Sequence, residues 1–107
     1  MKKLKRNKHL LGLLKTASPK LRRSLIESAS ADGINAIGEC CLNTLNGNHK
    51  ISPSVKTKLR RFKNTLRKLS CPKLSIKKKR QILKQKGGFL PVLLGSLLSG
   101  LVGSLIK

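Results

Sequence analysis

The chemistry this chain can offer is cationic. Lys77-Lys78-Lys79-Arg80 sets four positive side chains in a row, and Lys56, Lys58, Arg60, Arg61, Lys63, Arg67 and Lys68 crowd the stretch before it. Guanidinium forks and ammonium point charges at this density suit the neutralisation of successive phosphates, which needs charge and reach but no base-reading geometry. The 77–80 run also matches a short nuclear-import pattern. An isolated run is ordinarily a solvated helix face, so the balance of the whole chain decides. Over 107 residues there are 25 Lys and Arg against 3 Asp and Glu, a formal net charge of +22. Such a surface repels itself and seeks a polyanion, either nucleic acid or an anionic lipid face. If about eight cations engage phosphates, log affinity falls against log salt with a slope of about −7.

Other chemistries find little material. The acids are Glu27, Asp32 and Glu39, too few for paired acid–base work, and no phosphate-cradling glycine loop is present, so no enzyme is expected. Cys40, Cys41 and Cys71, even with His49, lack the two close ligand pairs of common zinc fingers. No metal and no other cofactor is expected. Cys41 reads instead as a small buried hydrophobe, and His9 and His49 as surface residues. The odd cysteine count points to a reduced, intracellular chain. The apolar stretch Leu10 to Leu14, interrupted by Gly12, is too short for a secretory signal. Two Phe and no Trp or Tyr argue against a single-strand reader that stacks bases on aromatic rings.

The elements that must carry these cations are helices, because no segment alternates with period two. The fold class expected is all-α: a small bundle of short amphipathic helices, then a Gly-Gly joint and an apolar C-terminal helix. Met1 to Lys15 puts Leu10, Leu11 and Leu14 on one face. Ser18-Pro19 is a helix start, a hydroxyl cap followed by proline, leading a helix to about Ala31 with the stripe Leu21, Leu25 and Ile26. Asp32 is placed to cap a third helix carrying Ile34, Ile37, Cys41 and Leu45, stopped at Asn46-Gly47-Asn48. Ser52-Pro53 repeats the start signal before one continuous stripe, Val55, Leu59, Phe62, Leu66 and Leu69, which Pro72 ends. Ser75 caps a last basic helix to about Lys86, with Ile82 and Leu83 inward. No Lys or Arg occurs from Ser24 to Asn48. The centre is therefore expected to pack and the ends to face phosphate. A body this small buries only about 60% of its unfolded surface, so its stability is expected to be marginal.

The tail changes character. Phe89 to Ile106 carries no charge. The division expected is a basic helical domain over 1–86, a joint at 87–88 and an apolar tail helix over 89–107. Pro91 suits the first turn of that helix. Gly95, Ser99 and Gly103 fall four apart, as do Ser96, Gly100 and Ser104, forming a ridge that a second helix could approach closely. Eighteen residues at about 1.5 Å each span about 27 Å, near the lower limit for a bilayer. Phe89, Leu90, Gly95, Ser99 and Gly103 are thus the candidates for membrane insertion or self-association, and burial against protein satisfies the same pattern.

Gly87-Gly88-Phe89-Leu90-Pro91, after basic sequence and before small aliphatic residues, is similar to the C-terminal part of adenovirus core-protein X (mu) precursors. Short basic proteins of Maverick/Polinton elements and adintoviruses share such a GGFL tail, and the likeness extends more loosely to Glu39-Cys40-Cys41-Leu42-Asn43 and Leu45-Asn46-Gly47-Asn48. The resemblance implies a DNA-condensing core component trimmed by a viral cysteine protease after Gly-Gly, here at Gly87, Gly88 and Phe89. The chain departs from that pattern in having Gln85 where Met, Ile or Leu is usual, and in its Lys- and Leu-rich helical body where mature mu is short and Arg-rich. The glycine pair also reads simply as a flexible joint.

The expectation is sequence-independent binding and condensation of double-stranded viral DNA in a virion and host nucleus. The tail would attach to capsid proteins or membrane, or pair copies of the chain. A membrane-active protein, recruited to anionic lipid by its cations before the tail inserts, is the alternative from another class. A ribosome-associated protein shares the charge but not the uncharged tail.

Overall fold

Hydroxyl caps set the helix starts in the computed structural model, which describes residues 2–47 and 53–95. Ser18 Oγ accepts from the Leu21 N–H at 3.3 Å, and Ser75 Oγ from the Lys78 N–H at 3.2 Å, as their positions before Pro19 and Ile76 foretell. Each satisfies one of the first-turn N–H groups that no helical carbonyl can reach. The helices are α1 (Lys2–Arg6), α2 (Lys8–Thr16), α3 (Pro19–Ser28), α4 (Ala31–Leu45), α5 (Pro53–Arg60), α6 (Lys63–Ser70) and α7 (Ile76–Lys86). A 3₁₀ turn, Gly87–Phe89, follows, and residues 90–95 are again helical, with Pro91 in the first turn. Among the described residues there is no strand, and the fold is all-α. Ser52, Asn48, His49 and everything beyond Gly95 lie outside the described residues, so the cap expected at Ser52 and the small-residue ridge at Ser96, Ser99, Gly100, Gly103 and Ser104 do too.

α4 is the hub. It carries no Lys or Arg and buries Ile34, Ala36, Ile37, Cys40 and Cys41 along with two glycines. Its cap is Ser30, whose Oγ accepts from the Gly33 N–H at 3.1 Å, not Asp32. Asp32 sits two residues further in and receives Arg6 Nη2 at 2.9 Å, Arg6 Nε at 3.2 Å and Asn7 Nδ2 at 2.8 Å, which ties α1 to the start of α4. A carboxylate there also complements the positive end of the helix dipole. Gly47, with φ +67°, supplies the left-handed stop after α4 that its position predicts.

The most extensive helix pair is α4 with α6, and Gly38 makes it possible. A methyl at this position would lie 2.5 Å from the Leu69 carbonyl oxygen, so only a bare Cα lets the two backbones approach so closely. Leu59, Leu66 and Leu69 are buried and Val55 and Phe62 half-buried, as the stripe predicts, but the expected single helix is broken. Phe62, at φ −105° and ψ 13°, separates α5 from α6 without proline or glycine. Its ring lies 5.4 Å from that of Phe89, tilted 39°. The chain's two aromatic rings thus pack on each other at the break. Leu21 is a second departure: it was expected inward, yet it is 47% exposed, because Ile26 and Leu25 alone supply the packed edge of α3.

The start of the tail belongs to the core. Phe89, Leu90, Leu93 and Leu94 are all buried in the same cluster as Leu4, Leu11, Leu14 and Ile37. Residues 89–94, expected beyond a division after Lys86, pack with the helices before it, and a body this small gains from their apolar area in closing its interior.

Candidate nucleic-acid interface

The cations sort into three groups once their surroundings are known. Lys56, Lys58, Arg60 and Arg61 on and just after α5, and Lys63, Arg67 and Lys68 on α6, are all exposed. So are Lys77 and Lys78 at the start of α7, which packs against α6. The apolar stripe turns inward and leaves the remaining circumference of α5 and α6 to Lys and Arg. From Cys40 to the last residue the sequence has no Asp or Glu but 16 Lys and Arg. These nine side chains therefore present a basic surface with no acid in their own half of the chain to offset it.

Arg80 does a different job. Its Nη1 donates to the Ile26 and Ala29 carbonyl oxygens, each at 2.7 Å, and lies 3.2 Å from that of Glu27. Those carbonyls belong to the unsatisfied C-terminal end of α3, where a cation also complements the helix dipole. One turn on, Lys84 Nζ meets Glu27 Oε2 at 2.5 Å, and that hydrogen bond holds the Glu27 carboxyl below its usual value. Arg80 and Lys84 clamp α7 onto α3. Lys79 is buried, 5% exposed, on the face of α7 turned toward α4. Of the four expected phosphate contacts, Lys77 and Lys78 are exposed while Lys79 is buried and Arg80 is held on α3: a run of four cations on a helix does not keep all four on one exposed side, because each step turns about 100°.

Cys40 and Cys41 are inert by placement. Cys40 and Cys41 are fully buried; desolvation, aided by the nearby Glu39 charge, pushes the Cys40 thiol up to about 12 and burial raises Cys41 further. Cys71 is half-buried. Among the described residues, no three His, Cys, Asp or Glu side chains converge to hold a metal ion.

At the glycine pair, Gly87 is buried, Gly88 exposed and Phe89 only 1% exposed, within the 3₁₀ turn. A protease that binds an extended chain would reach the Gly88–Phe89 bond only after this segment opens. Phe89 and Leu90, expected as membrane or self-association residues, both sit in the chain's own core. Gly95 is the last described residue of that set. Among the described residues, no helix is long and apolar enough to cross a membrane.

Sequence reasoning missed Lys73, exposed in the turn between α6 and α7 and next to the same surface. The charge was visible, but only the fold shows that this turn joins the two basic helices. No family model, no curated protein and no solved structure matches this chain.

Proposed function

We propose that this protein binds and compacts double-stranded DNA without sequence preference, as a core component of an adenovirus-like virion that acts in particle and host nucleus. The observation that carries the reading is the set of nine exposed cations from Lys56 to Lys78 on a half-chain that contains no acid. Charge without aromatic or base-reading side chains gives phosphate contacts that position a duplex and do not select its sequence. The two other clusters of charge, Arg6 with Asp32 and Lys84 with Glu27, are internal ties and leave this surface unneutralised. Attachment to capsid proteins, to membrane or to a second copy falls to the segment from Gly95 onward, because the residues before it are needed inside. Gel-shift competition between unrelated duplexes tests the reading: equal competition per base pair is expected, and strong preference for one sequence would overturn it.

The membrane-active alternative requires the tail to leave the protein. Burial of Phe89, Leu90, Leu93 and Leu94 weighs against this, since their extraction would open the core. Leakage of anionic vesicles at low dose that depends on residues 96–107, with no compaction of DNA, would favour it.

A further inference from the structure

Lys79 is the one buried charged residue among those described, where every other Lys and Arg is exposed or half-buried. Removing an ammonium from water is costly unless a partner compensates it. Yet no hydrogen bond or ion pair to its ammonium is made among the described residues. Lys79 lines a cavity of about 320 Å³ between α4, α6 and the start of α7, together with Asn35, Glu39, Asn43 and Ser70. That volume lies at the small end of ligand sites, and the lining combines one cation, two amides, a hydroxyl and a carboxylate. Amide N–H, hydroxyl and ammonium groups are hydrogen-bond donors suited to an oxyanion.

Glu39 makes the lining selective. A carboxylate beside a fully ionised oxyanion repels it, but it accepts a hydrogen bond from an oxyanion that still carries a proton. A carboxylate has room for several donors, so Glu39 can take this bond beside those it already makes. Inorganic phosphate at neutral pH retains at least one proton, whereas sulfate and a phosphodiester retain none.

We propose that this cavity is a binding site for inorganic phosphate, which still carries a proton at neutral pH, with Lys79 as its counter-ion and Glu39 as the acceptor that recognises the proton. The site stands apart from the DNA-binding surface and does not depend on it, because a backbone phosphodiester lacks the proton that Glu39 would read.

The chain has no Trp or Tyr, so Leu42→Trp places a single reporter at the cavity, at a position that is already 42% exposed. The full chain carrying Leu42→Trp is titrated with inorganic phosphate at constant ionic strength, with sulfate, dimethyl phosphate and a phosphomonoester such as glycerol phosphate as parallel arms. A saturable fluorescence change with phosphate is expected, and at least tenfold weaker binding of sulfate and dimethyl phosphate. Glycerol phosphate, largely without a proton at neutral pH, should bind more weakly than inorganic phosphate, and equal or tighter binding of it overturns the role of Glu39. Adding Lys79→Met should abolish the change, while adding Lys77→Met and Lys78→Met should preserve it. Equal response to phosphate and sulfate, or retention of the response in Lys79→Met, overturns the proposal and leaves diffuse attraction to a charge of +22. Should Lys79→Met fail to fold, ³¹P–¹H transfer from bound phosphate to the Ser70 and Asn43 side chains of the unsubstituted protein decides. Its absence at saturating phosphate overturns the site. Loss of this site would leave sequence-independent DNA binding intact, so the two readings fail separately.

Discussion

Arg80→Met separates the cations that hold the fold from those proposed to hold DNA. Methionine keeps the length and apolar stem but removes the guanidinium whose Nη1 bonds the Ile26 and Ala29 carbonyls at 2.7 Å. Leaving a buried acceptor without its donor costs about 1–3 kcal/mol, and the two short bonds here are charge-assisted. Both are only part-buried and the Ile26 carbonyl keeps the Ala29 N–H at 3.4 Å, so the lower half of the range applies to each. The expected loss is about 3 kcal/mol, which in a domain of this size lowers the melting temperature by about 12–24 °C. Circular dichroism melts in high salt, where self-repulsion is screened, measure this directly. Lys78→Met, an exposed neighbour, should shift stability by less than about 0.5 kcal/mol. Duplex binding should show the opposite order: Lys78→Met flattens the log-salt slope by about 0.9, and Arg80→Met, measured where it is folded, leaves it unchanged. A melting loss under about 4 °C for Arg80→Met, or a flattened slope, would refute the assignment of Arg80 to the end of α3.

Three further outcomes follow from the packing. Gly38→Ala drives a methyl to 2.5 Å from the Leu69 carbonyl and should destabilise the α4–α6 pair by about 1–3 kcal/mol in denaturant titration; an unchanged midpoint would show that the helices separate without cost. Phe89→Ala empties the site beside Phe62 and should cost about 3–5 kcal/mol, so near-native stability would mean the tail is not part of the core. Toward a disulfide reagent at neutral pH, Cys71 should react first and Cys40 and Cys41 only as the fold opens. The Cys40 thiol rises from an ordinary 9.0 to about 12, so its burial stabilises fully below pH 9 and that contribution is lost as pH climbs through about 12. Equal rates for all three thiols, or a stability flat from pH 8 to 11, would contradict this.

Much of the frame was legible because it is written locally. Ser18 before Pro19, Ser75 before a helix, and Gly47 at a stop each act through their immediate neighbours, and the buried leucines of α5 and α6 follow their period. What escaped was decided across the fold. The break at Phe62 coincides with its packing on Phe89, 27 positions later, and the role of Arg80 comes from carbonyls more than 50 residues earlier. Asp32 carries a capping side chain, but Ser30 has the position and Arg6 claims the carboxylate. At the candidate interface the composition located the charge, while only helix phase told which of Lys77, Lys78, Lys79 and Arg80 face outward. Residues 89–94 read as tail because they are uncharged, and they are core for the same reason.

The central claim, that nine exposed cations from Lys56 to Lys78 bind duplex phosphates indifferently to sequence, is tested most directly by the salt dependence of binding to two unrelated duplexes of equal length. Coincident straight lines of log affinity against log salt are expected, no steeper than about −8, both flattened by substituting Lys56, Arg60, Lys63 and Arg67 with Met. Lines that separate between sequences, or a slope that survives those four substitutions, would contradict it.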